Sequence, residues 1–331
     1  MTGFFSFKFR LWGLFTAAGV VAGIATLLGF FGLLNWRLEL CSHFRVQYFL
    51  GLGVVALLLL IPRKRRNAAI FGVLAFVNLS VILPLYFGKV SAPASAGQPV
   101  RAILMNVNTA NKNSAGVADV IRRYSPDVVV LEEVNRRWLS ELVPALTGYG
   151  YSKQAPREDN FGIALFSKFP LSQCTVEYIG DAEVPSIVAE IETSQGKCTM
   201  LATHPLPPAG SEYARLRNGQ LAQLPGWVHR ATSPLVLLGD LNVSPWSPYF
   251  KRLIRDSGLR DSSQGRGVHP SWPTFSPMLL IPIDHCLYSR GIAIVDRRTG
   301  PYVGSDHLPL IVDFVVGDGS EAVQCTPSDK S

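Results

Sequence analysis

The stretch PLVLLGDLNVSPW, residues 234–246, decides how the second half of this chain folds. Four consecutive apolar residues, Leu235–Leu238, predict a buried strand. An acid and an amide, Asp240 and Asn242, follow two positions apart, and side chains at this spacing in an extended chain point to the same side. The stretch therefore predicts a strand that ends in two oxygen-bearing side chains, which form either a turn or a site.

From residue 100 onward, predicted strands and helices alternate with mixed connections. This pattern favours an α/β-sandwich of two sheets with helices outside. One long helix is expected over about 211–229, with Pro225–Gly226 as a potential break.

Polar side chains end several other predicted strands in the same way. Carboxylates are costly to bury unless they are paired or bind a metal, so repeated acidic strand ends favour one shared site. Hard oxygen donors suit Mg²⁺ or Mn²⁺ rather than zinc, and a nearby imidazole oriented by an acid can transfer protons. The residues at these ends are Asn106, Glu132–Glu133, His204, Asp240, Asn242, Asp284 and Asp306–His307.

The motifs NVN, LEEV, THP, GDLN, ID and GSDHLP occur in this order and at a spacing that resembles the endonuclease/exonuclease/phosphatase superfamily. Pancreatic-type deoxyribonucleases, abasic-site endonucleases, neutral sphingomyelinases and inositol-polyphosphate phosphatases belong to it. The resemblance covers about residues 100–314. It implies a four-layer α/β-sandwich that hydrolyses phosphate esters with Mg²⁺, or with Mn²⁺.

The resemblance also implies the metal ligands. Glu133 is similar to the main metal-binding glutamate, Asn106 to its neighbour in the first strand, and Asp306 to a further acid of the site. One departure is Glu132, because the family often has glutamine there. A second acid is expected to add negative charge next to the phosphate.

The catalytic residues follow from the same resemblance. Asp240 is similar to the aspartate that aligns or activates the attacking water, and Asn242 to the residue that holds the scissile phosphate. His307 resembles the catalytic histidine, with Asp284 as its orienting acid. His204 matches the second histidine of the deoxyribonuclease and sphingomyelinase branches.

The chain before this domain is strongly apolar. Spanning hydrocarbon takes about 20 mostly apolar residues, a length that two of the three apolar runs reach and the middle one approaches. A cleaved signal peptide is the alternative for the first run, which is long for that role and has no clear cleavage site. We predict a membrane region over 1–88 with three transmembrane helices at 11–36, 46–62 and 67–88, a linker over 89–99, a catalytic domain over 100–316 and a flexible tail over 317–331.

The distribution of basic residues predicts on which side of the membrane the catalytic domain lies. The segment RKRR, residues 63–66, places the second loop on the cytoplasmic side, so the catalytic domain is expected in the periplasm or outside the cell. Up to Lys89 there are nine basic residues and one acid, a charge of +8, whereas the remainder carries 22 basic and 23 acidic residues, a charge of −1. The overall charge of +7 therefore reflects topology rather than a nucleic-acid-binding surface.

Three further features stay open at this point. Cys174 and Cys198 lie in strands that we expect to be neighbours, where they form either a disulfide or two free thiols. Arg217 and Gln220 share a helix face that is either solvated or has a structural or substrate-side role. For Trp272, a packing role is favoured over contact with the substrate.

The sequence thus predicts a multi-pass protein of the inner or plasma membrane that hydrolyses a phosphodiester or phosphomonoester by in-line attack of an activated water. The expected substrate is a lipid headgroup, a small phosphodiester or a nucleic acid, and no obligate protein partner is implied. The alternatives are a nuclease acting on DNA or RNA outside the cytoplasm and a catalytically silent, membrane-tethered binding module.

Overall fold

A computed structural model describes residues 11–88 and 98–317, which form eight α-helices and twelve strands. The helices are α1 Leu11–Leu28, α2 Trp36–Leu40, α3 Arg45–Leu60, α4 Arg65–Ile82, α5 Ser114–Tyr124, α6 Arg136–Leu146, α7 Ser211–Arg230 and α8 Pro248–Ser257. The strands are β1 Val100–Asn106, β2 Val128–Glu132, β3 Tyr151–Ala155, β4 Ile163–Ser167, β5 Leu171–Tyr178, β6 Pro185–Thr193, β7 Gly196–Thr203, β8 Leu235–Asp240, β9 Arg260–Asp261, β10 Asp284–Tyr288, β11 Ile292–Thr299 and β12 Leu310–Val316.

The strands form two mixed six-stranded sheets. The first has the order β11-β12-β1-β2-β4-β3 and the second β5-β6-β7-β8-β10-β9. Each sheet has one parallel pair near its centre, β1 with β2 and β7 with β8. The carboxyl ends of each parallel pair therefore lie side by side at one edge of their sheet.

The two sheets pack face to face, and helices cover their outer faces. Residues such as Leu104 of β1 and Leu238 of β8 share the central apolar core. Helices α5 and α6 pack on the first sheet, and α7 and α8 pack on the second. The prediction of an α/β-sandwich of two mixed sheets flanked by helices is confirmed.

Some local expectations were wrong. Helix α7 continues through Pro225 to Arg230, because the loss of one backbone N–H is offset by packing of Leu221, Leu224 and Val228 on the second sheet. Strand β3 was not predicted, because its sequence is largely polar and its side chains are only partly buried or exposed.

The cysteines are free thiols within the described residues. Cys174 lies in β5 and Cys198 in β7, and β6 separates these strands, so the expected neighbours are not adjacent. The disulfide alternative is therefore wrong for this structure. The predicted linker lies outside the described residues except for Gln98 and Pro99, as does the tail after residue 317.

The N-terminal region forms a small helical bundle. Two of its helical segments, Trp12–Phe31 and Arg65–Leu85, are long and apolar enough to cross a membrane, and α3 is shorter. Only 22% and 33% of the two longer segments is buried, so most of their apolar surface is exposed. The prediction of three spanning helices stays a prediction.

The connection between α1 and α3 packs directly on the sandwich. Glu39 on α2 forms a fully buried ion pair with Arg217 of α7, and it also accepts a hydrogen bond of 2.7 Å from Ser247 Oγ. His43 Nδ1 lies 2.9 Å from Ser244 Oγ. These contacts attach the helical bundle to the loop between β8 and α8.

Candidate active site

Four strand ends meet at one edge of the sandwich. In the second sheet, Asp240 at the end of β8 lies opposite Asp284 at the start of the antiparallel strand β10. In the first sheet, Asn106 at the end of β1 pairs in register with Glu132 at the end of β2. Asp240 N donates to the carboxyl of Glu132 at 3.1 Å, so the two edges touch.

His307 lies between two carboxylates. Its Nδ1 is 2.9 Å from Asp284 Oδ2, and its Nε2 is 3.5 Å from Asp240 Oδ2. The backbone N–H of His307 donates to Ser305 Oγ, which in turn donates to the carbonyl of Asn106. All three ionisable side chains are buried, so the imidazole is held in one orientation by an acid on each side.

His204 approaches Asp240 from the other side. Its Nε2 is also 3.5 Å from Asp240 Oδ2, and its ring packs against Phe161 with the ring centres 5.8 Å apart. His204 Nδ1 is buried and has no hydrogen-bond partner within the part of the chain that the structure describes. Asp240 therefore links the two imidazoles through a single carboxylate oxygen.

The charges in this group reinforce one another. Burial by itself would lower the pKa of both histidines, but the surrounding carboxylates outweigh it and raise the pKa of His307 to about 10 and that of His204 to about 9. Burial opposes ionisation of Asp240, yet the two histidines hold the pKa of its carboxyl below the usual range. An ionised Asp240 between two imidazolium groups is the favoured state at neutral pH.

Glu133 and Asn106 form a second pair beside this group. Asn106 Nδ2 donates to Glu133 Oε1 at 3.0 Å, and the backbone N–H of Thr109 makes a longer contact of 3.4 Å with Oε2. Burial raises the pKa of Glu133, an effect that His204 and Asn106 partly oppose. A divalent cation would offset the cost of burying this carboxylate, so the donor set fits a hard metal ion.

Asp306 is held by Asn108 and by Trp272, for which the sequence favoured a packing role. Asn108 Nδ2 donates to Oδ1 at 2.8 Å, and Trp272 Nε1 donates to Oδ2 at 3.1 Å. The Trp272 ring also lies beside His307, with the ring centres 6.4 Å apart. The NVN motif contained Asn108, but no local pattern linked Trp272 to the site.

Glu132 occupies the position of the unusual second acid. Its side chain is fully buried, and burial raises its pKa well above the usual range, which favours the uncharged carboxyl. Burial therefore opposes the extra negative charge that was expected next to the phosphate. Glu132 instead accepts the backbone N–H of Asp240 and joins the two sheets.

Asn242 follows Asp240 in a left-handed backbone conformation with a φ of 51°. Its N–H donates to Asp240 Oδ1 at 2.9 Å, and its Nδ2 donates to Pro205 O at 3.0 Å, close to His204. Arg217 Nη1 donates to the carbonyl of Asn242 at 2.6 Å. Arg217 and Gln220 are fully buried, so a solvated helix face is wrong for this pair.

Two sets of possible metal ligands lie within the site. Ligand atoms of Asp240, Asp284 and His307 lie within 4.8 Å of one another. The carboxylate of Asp284 is already bound to His307, however, and an imidazole is a poor ligand for a hard cation. Glu133, Asn106 and Asp306 supply oxygen donors on the adjacent edge of the first sheet.

The sequence profile of the Endonuclease/Exonuclease/phosphatase family matches residues 103–307. This range contains every residue of the candidate site, from Asn106 to His307. The chain belongs to this family. Endonucleases, exonucleases and phosphatases break phosphoester bonds. Membership of this family therefore explains why acids, amides and imidazoles lie together at one sheet edge.

One curated relative matches a smaller part of the chain. A UPF0294 protein of Vibrio parahaemolyticus is 29% identical over 105 residues, which is 30% of this chain and 34% of that protein. The match therefore spans about a third of the relative's length.

Several solved structures share the fold of this chain. An endonuclease/exonuclease/phosphatase of Beutenbergia cavernae has 22% identity and a TM-score of 0.55 over 67% of this chain and 72% of its own. The human Nocturnin catalytic domain has 20% identity and a TM-score of 0.55 over 66% of this chain and 94% of its own. Humanized D. rerio TDP2 has 14% identity and a TM-score of 0.56 over 66% of this chain and 100% of its own.

Proposed function

We propose that this chain is a membrane-anchored, divalent-metal-dependent phosphoester hydrolase. The observation that carries the proposal is the arrangement around Asp240, whose Oδ2 lies 3.5 Å from the Nε2 atoms of His204 and His307. Asp284 orients His307 from behind at 2.9 Å. In this arrangement the carboxylate can accept a proton, and the two imidazoles can stabilise the negative charge that develops on the phosphate.

Asp240 aligns the attacking water and accepts its proton, because its carboxylate stays ionised beside the two histidines. His307 and His204, both charged at neutral pH, donate to the phosphoryl oxygens as their negative charge grows. Asn242 contributes its amide to the phosphate when its donor turns away from Pro205. Asp284 keeps the His307 ring in place throughout.

Glu133 would hold the metal ion as its main ligand, with Asn106 and Asp306 beside it. When bound, Mg²⁺ or Mn²⁺ polarises the phosphate and offsets its negative charge. Asn108 and Trp272 fix the carboxylate of Asp306 through one hydrogen bond each, which supports a role for that acid at the site.

Membrane anchoring is supported by the exposed apolar surface of the helical bundle. Large apolar side chains such as Val21, Leu57 and Phe76 are each more than 60% exposed, and hydrocarbon would cover them. The α1–α3 connection and the residues after α4 both contact the sandwich, whereas the exposed RKRR segment lies at the opposite end of the helices, in the turn after α3 and the first residues of α4. Three passes with the RKRR turn in the cytoplasm would place the sandwich on the periplasmic or extracellular side.

We infer that the substrate is a lipid headgroup or another small phosphodiester. The near-neutral charge after Lys89 does not favour tight binding of a duplex, and the membrane region would keep the site close to headgroups. A nuclease outside the cytoplasm is the second candidate, since D. rerio TDP2 has been solved in complex with a single-strand DNA product. The human Nocturnin catalytic domain was solved with a bound sulfate, which is a tetrahedral anion like a phosphate group.

The test is a substrate panel on the full-length protein with Mg²⁺: vesicles of a sphingomyelin-type lipid, plasmid and single-stranded DNA, and bis-p-nitrophenyl phosphate. We expect hydrolysis of the small diester and of the lipid, with at most slow cleavage of DNA. Rapid cleavage of DNA alone would favour the nuclease. No turnover on any substrate by a protein that still binds Mg²⁺ would favour the silent binding module.

A further inference from the structure

A groove of about 990 Å³ lies between the end of α4 and helix α8 of the sandwich. On one side it is lined by residues of the α4 end such as Val81 and Leu85, and on the other by residues of the sandwich such as Trp246 and Ile254. None of the predicted site residues lines it. The groove is therefore separate from the candidate active site, although Trp246 lies only four positions after Asn242.

The charged residues of the groove are mostly cationic. Lys251, Arg255 and Arg260 line it against a single carboxylate, that of Asp261. Both oxygens of Asp261 already accept hydrogen bonds from Ser263, at 2.9 and 2.6 Å.

Arg255 also has an acidic neighbour outside the groove lining. It contacts Asp256 at 2.8 Å, but both side chains are exposed and such pairs are weak. The groove consequently combines an apolar wall with an excess of positive charge.

Trp246 adds an aromatic ring to the apolar wall of the groove. Its side chain is only 4% exposed, so the ring is fixed by packing in the sandwich.

The groove lies where the proposed membrane surface would be. The apolar segment Arg65–Leu85 ends beside it, and the next residues, Tyr86 and Phe87, are 54% and 68% exposed. Aromatic residues at the end of a spanning helix commonly lie at the level of the headgroups. A ligand there would contact cationic side chains on the sandwich side of the groove and the apolar end of α4 on the other side.

We propose that this groove binds one anionic diacyl phospholipid, with its phosphate at Lys251, Arg255 and Arg260 and its acyl chains along the end of α4. The proposal rests on the membrane anchoring proposed above and not on the hydrolase activity. Such a lipid would attach helix α8, and with it the adjoining Trp246 segment, to the bilayer surface.

The experiment uses the full-length protein in a mild detergent, to which phosphatidylglycerol or phosphatidylcholine with identical acyl chains is added. Native mass spectrometry counts the lipids that each protein molecule retains. We expect the wild type to retain one phosphatidylglycerol with at least tenfold preference. The triple variant Lys251→Gln/Arg255→Gln/Arg260→Gln should lose that preference.

The matched control is Arg122→Gln/Arg215→Gln/Arg230→Gln, which removes the same charge from exposed positions outside the groove lining and should retain the lipid as the wild type does. Equal retention of both lipids by the wild type would overturn the proposal, as would unchanged preference in the triple variant. Equally strong retention of soluble glycerol phosphate would overturn the lipid assignment. Repeating the measurement with His307→Ala separates this result from the fate of the hydrolase proposal.

Discussion

Asp240 is the residue on which the candidate site depends, because one of its oxygens faces two imidazoles at 3.5 Å while the other accepts the N–H of Asn242 at 2.9 Å. Its own N–H is bound by Glu132 of the other sheet. Every hydrogen bond of this aspartate therefore positions another member of the site. A small displacement at Asp240 would alter the histidines, the Asn242 turn and the contact between the sheets together.

His307 provides the most direct test of the proposed chemistry. Replacing His307 with Ala removes the imidazole that Asp284 orients, and we expect turnover to fall about 100-fold or more because the loss of one charged donor to the phosphoryl oxygens costs on this order. Steady-state hydrolysis of bis-p-nitrophenyl phosphate measures it. His229→Ala, at an exposed position on α7, is the control and should keep the wild-type rate. A folded His307→Ala protein with near-normal turnover would remove His307 from the mechanism.

Glu132 allows a test of the contact between the sheets. Glu132→Gln keeps an oxygen that accepts the N–H of Asp240, so we expect activity within a few-fold of wild type. Glu132→Ala leaves that buried N–H unpaired, which costs about 1–3 kcal/mol, and should lower both the unfolding free energy and kcat. Denaturant unfolding and steady-state rates measure the two effects. Equal loss in both variants would mean that the charge of Glu132, and not its hydrogen bond, matters.

The loop between β8 and α8 is the element that connects the site to the helical bundle. Arg217 donates to the carbonyl of Asn242 on this loop and pairs with Glu39 of α2, and Ser247 at its end donates to the same Glu39. Both side chains of the ion pair are fully buried. The helical bundle is thus part of the structure that supports the loop carrying Asn242.

Glu39→Ala tests this connection. It leaves the buried guanidinium of Arg217 without its counter-charge, and removing one partner of a buried pair typically costs about 3–5 kcal/mol. We expect a lower free energy of unfolding in detergent and a lower kcat, since the Asn242 loop loses its support. Glu141→Ala, which breaks the partly exposed pair with Arg137, should change stability by about 1 kcal/mol or less. Equal stability of the two variants would contradict the role of Glu39.

The proposed metal dependence is a property of the whole molecule and can be tested directly. We expect chelation with EDTA to abolish hydrolysis and added Mg²⁺ to restore it. Glu133→Gln should weaken Mg²⁺ binding at least about tenfold, measured by calorimetry independently of activity, because it removes the main anionic ligand. Asp119→Asn, at an exposed position on α5, should bind as the wild type does. Unchanged Mg²⁺ affinity in Glu133→Gln would place the metal elsewhere, with Asp240, Asp284 and His307 as the next candidates.

The arrangement of the whole molecule also affects how the protein should be studied. A fragment that begins at residue 98 would lack Glu39 and His43, and it would leave Arg217 buried without its partner. Such a fragment is expected to be less stable than the intact chain. Activity measured on it would underestimate the activity of the full-length protein.

The local sequence was sufficient to predict the elements and residue types that form the site. Apolar runs of strand length ended by acids, amides and histidines predicted the sheet edges, since a buried carboxylate needs a partner wherever it lies. Apolar runs of about 20 residues likewise predicted the exposed helices of the N-terminal region. Both inferences depend on properties of short segments.

Only the tertiary structure decided which residues complete the site and how the two regions join. Trp272 binds Asp306 from 34 positions away, and Glu39 pairs with Arg217 from 178 positions away. The raised pKa of Glu132 and the continuity of α7 through Pro225 likewise follow from packing by distant segments. No periodicity within a short window encodes such contacts, because their energy comes from burial that exists only after the two sheets and the helices have packed together.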